Sequence, residues 1–193
     1  MTDDPAAWRG ADMADNPAVR RYRTAGNIDF HCDAADVVGL LCLQDAKSGG
    51  QSRIASSVTI YNEVVAQRPD LAARLFEPFN LDLRGEHAPG ARPVNDITPC
   101  AYADGRLSTF WHSDYFRSAD RHDEVTFTEA ERALMDLYDG LAASPDIHLD
   151  MWLQPGDMQF ISNHVTVHAR TAYEDWPDME RRRHLLRLWL SLV

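Results

Sequence analysis

Residues 27–43 read NIDFHCDAADVVGLLCL: a histidine and three acids stand directly before an apolar run. The run DVVGLLCL (36–43) is continuous and rich in valine and leucine, the pattern of a strand buried on both faces. Just upstream, His31 and Asp33 are two positions apart, so on a strand their side chains point to one face. A neutral imidazole beside a carboxylate suits a first-row divalent metal, which accepts mixed nitrogen and oxygen ligands. Two ligands are too few. The stretch NHVTVHAR (163–170) offers a third in His164 or His168, on or near a late strand. Two histidines and one carboxylate that leave positions open on one side form the facial ligand set of non-haem Fe(II) oxygenases.

Outward from this stretch, strand signals outnumber helix signals. ITPCAYADGRLSTFW (97–111) reads as a hairpin turning at Asp104-Gly105. HLDMWLQ, the turn PGD (155–157), MQFISNHVTVHAR and RHLLRLWLSLV read as further strands. Two helices are expected. One follows Ser56 or Ser57 as N-cap and is interrupted by Pro69; the other opens on the capping box Thr128/Glu131. AKSGGQSRIASS (46–57) reads as a glycine and serine loop. Residues 78–96, with prolines at 78, 89 and 93, read as another. Residues 1–26 are polar, carry Pro5 and Pro17, and read as an N-terminal arm or remnant ahead of one domain over 27–193. The expected class is therefore mainly β with added helices, a sandwich or barrel.

Composition narrows the partners. With 45% hydrophobic residues the chain can bury a core, and a net charge of −11 disfavours a nucleic-acid partner. Three cysteines without paired spacing read as reduced thiols, and no apolar stretch reaches membrane-spanning length. These features lead us to expect a soluble, cytoplasmic protein that acts on a small molecule.

FHCDAADVVGLLCL, GGQSRIASS, LQPGDMQFISNHVTVHAR and RRRHLLRLWL occur in that order. In this order the chain, from about Arg20 to Val193, resembles the Fe(II)/2-oxoglutarate-dependent dioxygenases of the taurine dioxygenase-like (TauD/TfdA) family. The resemblance implies a double-stranded β-helix, or jelly roll, of the clavaminate synthase-like kind. It also implies Fe(II) as metal, 2-oxoglutarate as cosubstrate and O2 as oxidant, with release of succinate and carbon dioxide. By the same resemblance His31, Asp33 and His168 are the metal ligands, which leaves His164 a structural neighbour. Arg183 would hold the distal carboxylate of 2-oxoglutarate, with Ser52 as hydroxyl donor beside it. Arg187 matches a position that contacts an anionic substrate in some members, and Asn27 one that contacts substrate in some relatives.

Independent chemistry supports the arginine. A buried carboxylate needs a fixed cation, and the guanidinium fork meets it in two places. On a strand, Arg183 and Arg187 would share one face with Leu185 and Trp189, opposite an almost wholly apolar face. Arg170 is read as ordering the metal site from behind, Cys32 as pointing away from the metal, and Trp152, Trp176 and Trp189 as packing residues. Family members carry a substantially longer segment before the His-x-Asp motif, whereas 30 residues precede His31 here. Missing strands would leave an unpaired sheet edge and invite a homo-oligomer. Against the oxygenase stand a catalytically incomplete metal-binding β scaffold serving as an interaction module and a hydrolytic zinc site. The zinc site would leave Arg183 and Ser52 without a role.

Overall fold

The computed structural model describes residues 24–192. The arm expected over 1–26 therefore lies, up to residue 23, outside the described residues. The chain runs β1 (Ile28–His31), β2 (Val37–Gln44), β3 (Ser48–Gly49), β4 (Ser52–Ser56), α1 (Ser57–Gln67) and α2 (Pro69–Ala72). It continues β5 (Phe79–Asp82), β6 (Val94–Ile97), β7 (Cys100–Ala103), β8 (Arg106–Thr109), α3 (Ser113–Ser118) and α4 (Glu129–Ala142). The last third is β9 (His148–Met151), β10 (Met158–Ser162), β11 (Thr166–Arg170), β12 (Tyr173–Glu174) and β13 (His184–Leu190).

Two antiparallel sheets carry the architecture: one ordered β1-β11-β4-β9, the other β10-β2-β13. They face one another as a jelly roll requires, joined by side-chain bonds from Ser52 to Gln159 and from Trp189 to Asp33. The alternation of β11 sets the inside and the outside. Val167 and Ala169, with Ala55 of β4, are buried in one cluster with Ile60 and Val64 of α1 and Leu134 and Met135 of α4. His168 and Arg170 pair in register with Ile54 and Ser52, so these four point the other way, into the space between the sheets.

Local chemistry accounts for the helices. Ser56 Oγ accepts from Thr59 N at 3.2 Å and caps α1. In the capping box of α4, Thr128 Oγ1 accepts from Glu131 N (3.2 Å) and Glu131 Oε2 accepts from Thr128 N (2.7 Å). The hairpin of β7 and β8 turns on Asp104 (φ 50°) and Gly105 (φ 74°), both left-handed as a type I′ turn needs.

Three expectations are corrected. Residues 46–57 are not simply a loop: Ser52–Ser56 is β4, a central strand between β11 and β9. Residues 78–96 contain β5 and most of β6, which pair with each other. Finally, β2 is not buried on both faces. Its outer side lies in register with Met158 and Phe160 of β10 and with Leu186 and Leu188 of β13. These four side chains are 66, 60, 50 and 56% exposed, and no described residue covers them. The run is continuous in hydrophobicity because its inner half packs and its outer half is open.

Buried acids tie the small elements down. The Asp82 carboxylate on β5 accepts from Arg84 N (2.8 Å) and His122 Nε2 (3.0 Å) and pairs with Arg121 Nε (2.9 Å). Burial pushes its pKa up, but these donors outweigh it and hold the carboxyl below the ordinary value. Glu131 is held down in the same way by Thr128 and Arg74 against its burial. A carboxylate whose pKa is lower folded than unfolded stabilises above its unfolded pKa, about 4, and loses that contribution as pH falls through the folded value. We expect the melting temperature to drop below about pH 4. Asp82→Asn should flatten that acid limb in a melting series between pH 6 and pH 2.5.

Candidate metal centre

Pairing between β1 and β11 creates the centre. His31 lies opposite His168 in register, and their rings are 4.2 Å apart. β1 ends at His31, so Asp33 is not on the strand as the two-residue spacing suggests; it lies in the loop that follows. The loop nevertheless returns the carboxylate to the histidines. Asp33 Oδ1 is 3.9 Å from His31 Nε2, and Oδ2 is 3.7 Å from His168 Nε2. Both separations lie within the reach of two bonds of about 2.1 Å to a shared ion. Among the described residues His31, Asp33 and His168 form the group whose donor atoms converge within 4.8 Å.

Tautomer and charge suit a cation. His31 Nδ1 donates to the Asp29 carbonyl at 2.8 Å, which turns Nε2 toward Asp33. Burial holds His168 well below the usual histidine range, and His31 and Arg187 add to the effect, so it is a neutral donor. A divalent ion between two imidazoles and one carboxylate would meet the donor set expected for Fe(II).

Several contacts at the centre went unread in the sequence. Asn163, buried in the turn between β10 and β11, accepts Asp33 N at 3.2 Å and donates to the Ala35 carbonyl at 2.6 Å. Trp189 is not a packing residue: its indole Nε1 donates to Asp33 Oδ2 at 3.1 Å. Arg187 Nη1 lies 3.3 Å from both oxygens of the same carboxylate. His112 forms an isolated β-bridge with His31, and its ring lies 4.9 Å from that of His31. It stacks on Tyr115 at 3.9 Å, and burial keeps it neutral. A bridge between residues so far apart leaves no local signal.

The remaining candidates separate clearly. His164 stands apart from the trio: Nε2 bonds Asp36 Oδ1 (2.7 Å) and Nδ1 faces Ser108 Oγ (3.2 Å). Cys32 points away into the core, its Sγ toward the Thr166 carbonyl at 3.6 Å and its thiol pushed by burial to about 12. Asn27 is exposed and donates to Asp29 Oδ1 at 2.6 Å. Arg170 ties down the approach to β1 through the carbonyls of Thr24 (2.8 Å) and Gly26.

Ser52 is buried on β4, and its hydroxyl donates to Gln159 Oε1 at 3.0 Å. Arg183 lines a cavity of 140 Å³ with Cys42, Gly50, Gln154 and Leu185. It precedes a register shift between His184 and Leu185, so one strand parity does not run from Arg183 to Arg187. Its guanidinium and that of Arg170 lie over the Tyr173 ring at 5.2 and 4.7 Å. Burial lowers the pKa of Arg183, and among the described residues its guanidinium forms no ion pair. Gly50 makes room for it: at φ +75° a Cβ there would stand 3.1 Å from Arg183 Nε.

Comparison with known proteins agrees with this geometry. The chain is 34% identical over 186 residues to FR-33289 synthase of Streptomyces rubellomurinus, which covers 95% of this chain and 55% of that protein. It therefore spans about half the length of that relative. An asparagine oxygenase solved with Fe(II), 3-hydroxyasparagine and succinate superposes with a TM-score of 0.65 at 17% identity. The match covers 88% of this chain and 51% of the oxygenase. The non-haem iron oxygenase OrfP, solved with Fe and α-ketoglutaric acid, gives 0.61 at 16% identity over 87% of this chain and 50% of its own. The family profile described as taurine catabolism dioxygenase TauD, TfdA family matches residues 3–189, and the chain belongs to that family.

Proposed function

We propose that this chain is an Fe(II)- and 2-oxoglutarate-dependent dioxygenase. It would oxidise a C–H bond of a small organic substrate and release succinate and carbon dioxide. One observation carries the reading: two imidazoles and one carboxylate converge where β1 pairs with β11, and among the described residues the half-buried Arg183 guanidinium forms no ion pair. Family membership and the Fe and α-ketoglutaric acid bound by a neighbour of the same fold support it.

Each part of the chain then has a task. His31, Asp33 and His168 would hold the metal. Bound iron supplies the redox chemistry that couples O2 to cosubstrate decarboxylation and substrate oxidation. Arg183 would take the distal carboxylate of 2-oxoglutarate by charge-assisted bonds, and Ser52 would turn its hydroxyl from Gln159 to the same group. Arg187 is a second cation beside the metal carboxylate, which a substrate anion would share with Asp33. Because the ligands come from both ends of the described chain, residues 27–193 would act as one domain. An incomplete scaffold would leave Arg183 with no anion to bind.

The reading is tested by succinate formation from 2-oxoglutarate with Fe(II) and air, with and without small amino and organic acids. No succinate from folded protein under any of these conditions would overturn it. Arg183→Leu should weaken 2-oxoglutarate binding by roughly 10- to 100-fold, the worth of hydrogen bonds to a charged group. Metal affinity should stay unchanged, as read by anaerobic titration of both ligands.

A further inference from the structure

Asp33 is the ligand that secondary structure does not fix. His31 is on β1 and His168 on β11, where ladder pairing sets their directions, whereas Asp33 lies beyond the strand end. Its main chain is held by Asn163 Oδ1, which leaves the carboxylate to be aimed by something else. Two side chains of β13 reach it. Arg187 Nη1 lies at 3.3 Å from both oxygens and so discriminates between neither. Trp189 Nε1 donates at 3.1 Å to Oδ2 alone. The Arg187 guanidinium also lies 4.9 Å from the centre of the Trp189 ring, so the two side chains form one unit on the carboxylate.

We propose that Trp189 is a positioning residue for the metal centre. Its indole N–H pins Oδ2, fixes the rotation of the Asp33 carboxylate, and leaves Oδ1, the oxygen nearer His31, as the freer donor to the metal. This inference rests on the metal-centre reading above and adds a specific role to it. Loss of a partner that orients a ligand from behind typically costs about 10- to 100-fold in metal affinity. Trp189 is 44% exposed, so its replacement removes little core. That exposure separates orientation from folding.

The test uses Mn(II) alone, which needs neither cosubstrate nor turnover, titrated into the full chain and followed by the electron paramagnetic resonance of the free ion. Trp189→Phe keeps a ring under Arg187 and removes the donor. Trp189→His returns a ring N–H. We expect Trp189→Phe to weaken Mn(II) binding by about 10-fold or more with an unchanged melting temperature, and Trp189→His to recover part of that loss. Equal affinity in wild type and Trp189→Phe would overturn the role of Trp189 while leaving the metal centre intact. Equal weakening in Trp189→Phe and Trp189→His would overturn the donor explanation. A wild-type chain that binds no Mn(II) at one equivalent would overturn the centre itself, and Trp189's role with it.

Discussion

His31→Ala should abolish tight divalent-metal binding and, with it, all succinate formation, while the chain stays folded. The imidazole supplies one of three converging donors, and its Nδ1 is already committed to the Asp29 carbonyl. Removing a residue that merely orients a ligand costs about 10- to 100-fold in metal affinity. Removing the ligand itself must cost more. The fold should survive, because the side chain faces the space between the sheets and not the cluster around α1 and α4. Its loss also relieves ring crowding, since the His112 and His168 rings lie 4.9 and 4.2 Å from that of His31. Mn(II) titration beside far-ultraviolet circular dichroism checks both halves. An unchanged spectrum with no saturable Mn(II) binding is the expected pair.

Trp111→Ala should have the largest effect on stability, a loss of about 3–5 kcal/mol. Trp111 is fully buried, stacks on Tyr138 at 3.9 Å, and donates from Nε1 to Asp139 Oδ1 at 3.0 Å. Truncation would leave a cavity beside Phe79 and Phe116 and strand a carboxylate that Arg117 and Ser113 also hold. The effect should reach the candidate metal centre, since the Trp111 carbonyl accepts the main-chain N–H of Cys32 at 2.7 Å, between His31 and Asp33. The midpoint of urea unfolding should fall sharply, and Mn(II) affinity should fall with it. A midpoint within experimental error of wild type would contradict the placement of Trp111 at the centre of the core.

Local chemistry made part of this fold legible. Asp104-Gly105, the Thr128/Glu131 box and the Ser56 cap are signals confined to a few adjacent residues, and each appears where its chemistry places it. β4 was hidden because Ser52-Arg53-Ile54-Ala55-Ser56 is short and polar, and becomes a central strand only through β11 and β9 far along the chain. Prolines at 78 and 93 concealed β5 and β6 in the same way, since they flank two strands that form their own small sheet among the described residues. At the site, His31 and Asp33 carried a spacing signal, but the choice of His168 over His164 came from family resemblance. In the structure His164 bonds Asp36 and Ser108, apart from the converging trio. The keepers of Asp33 were not legible at all. Trp189 lies 156 residues from it, and no pattern in RRRHLLRLWL distinguishes an indole that packs from one that donates to a ligand.

The outer face of the β10-β2-β13 sheet follows the same logic. A continuous apolar run states that a strand is apolar on both sides, not that both sides are covered. Met158, Phe160, Leu186 and Leu188 remain exposed on that face.

Anaerobic addition of Fe(II) and then 2-oxoglutarate reads the proposed metal centre and the Arg183 site together without a known substrate. A weak visible charge-transfer band should appear and saturate at one equivalent of each. The band should be lost in His31→Ala and should need more 2-oxoglutarate in Arg183→Leu. Folded wild-type protein that develops no such band would contradict the proposed function.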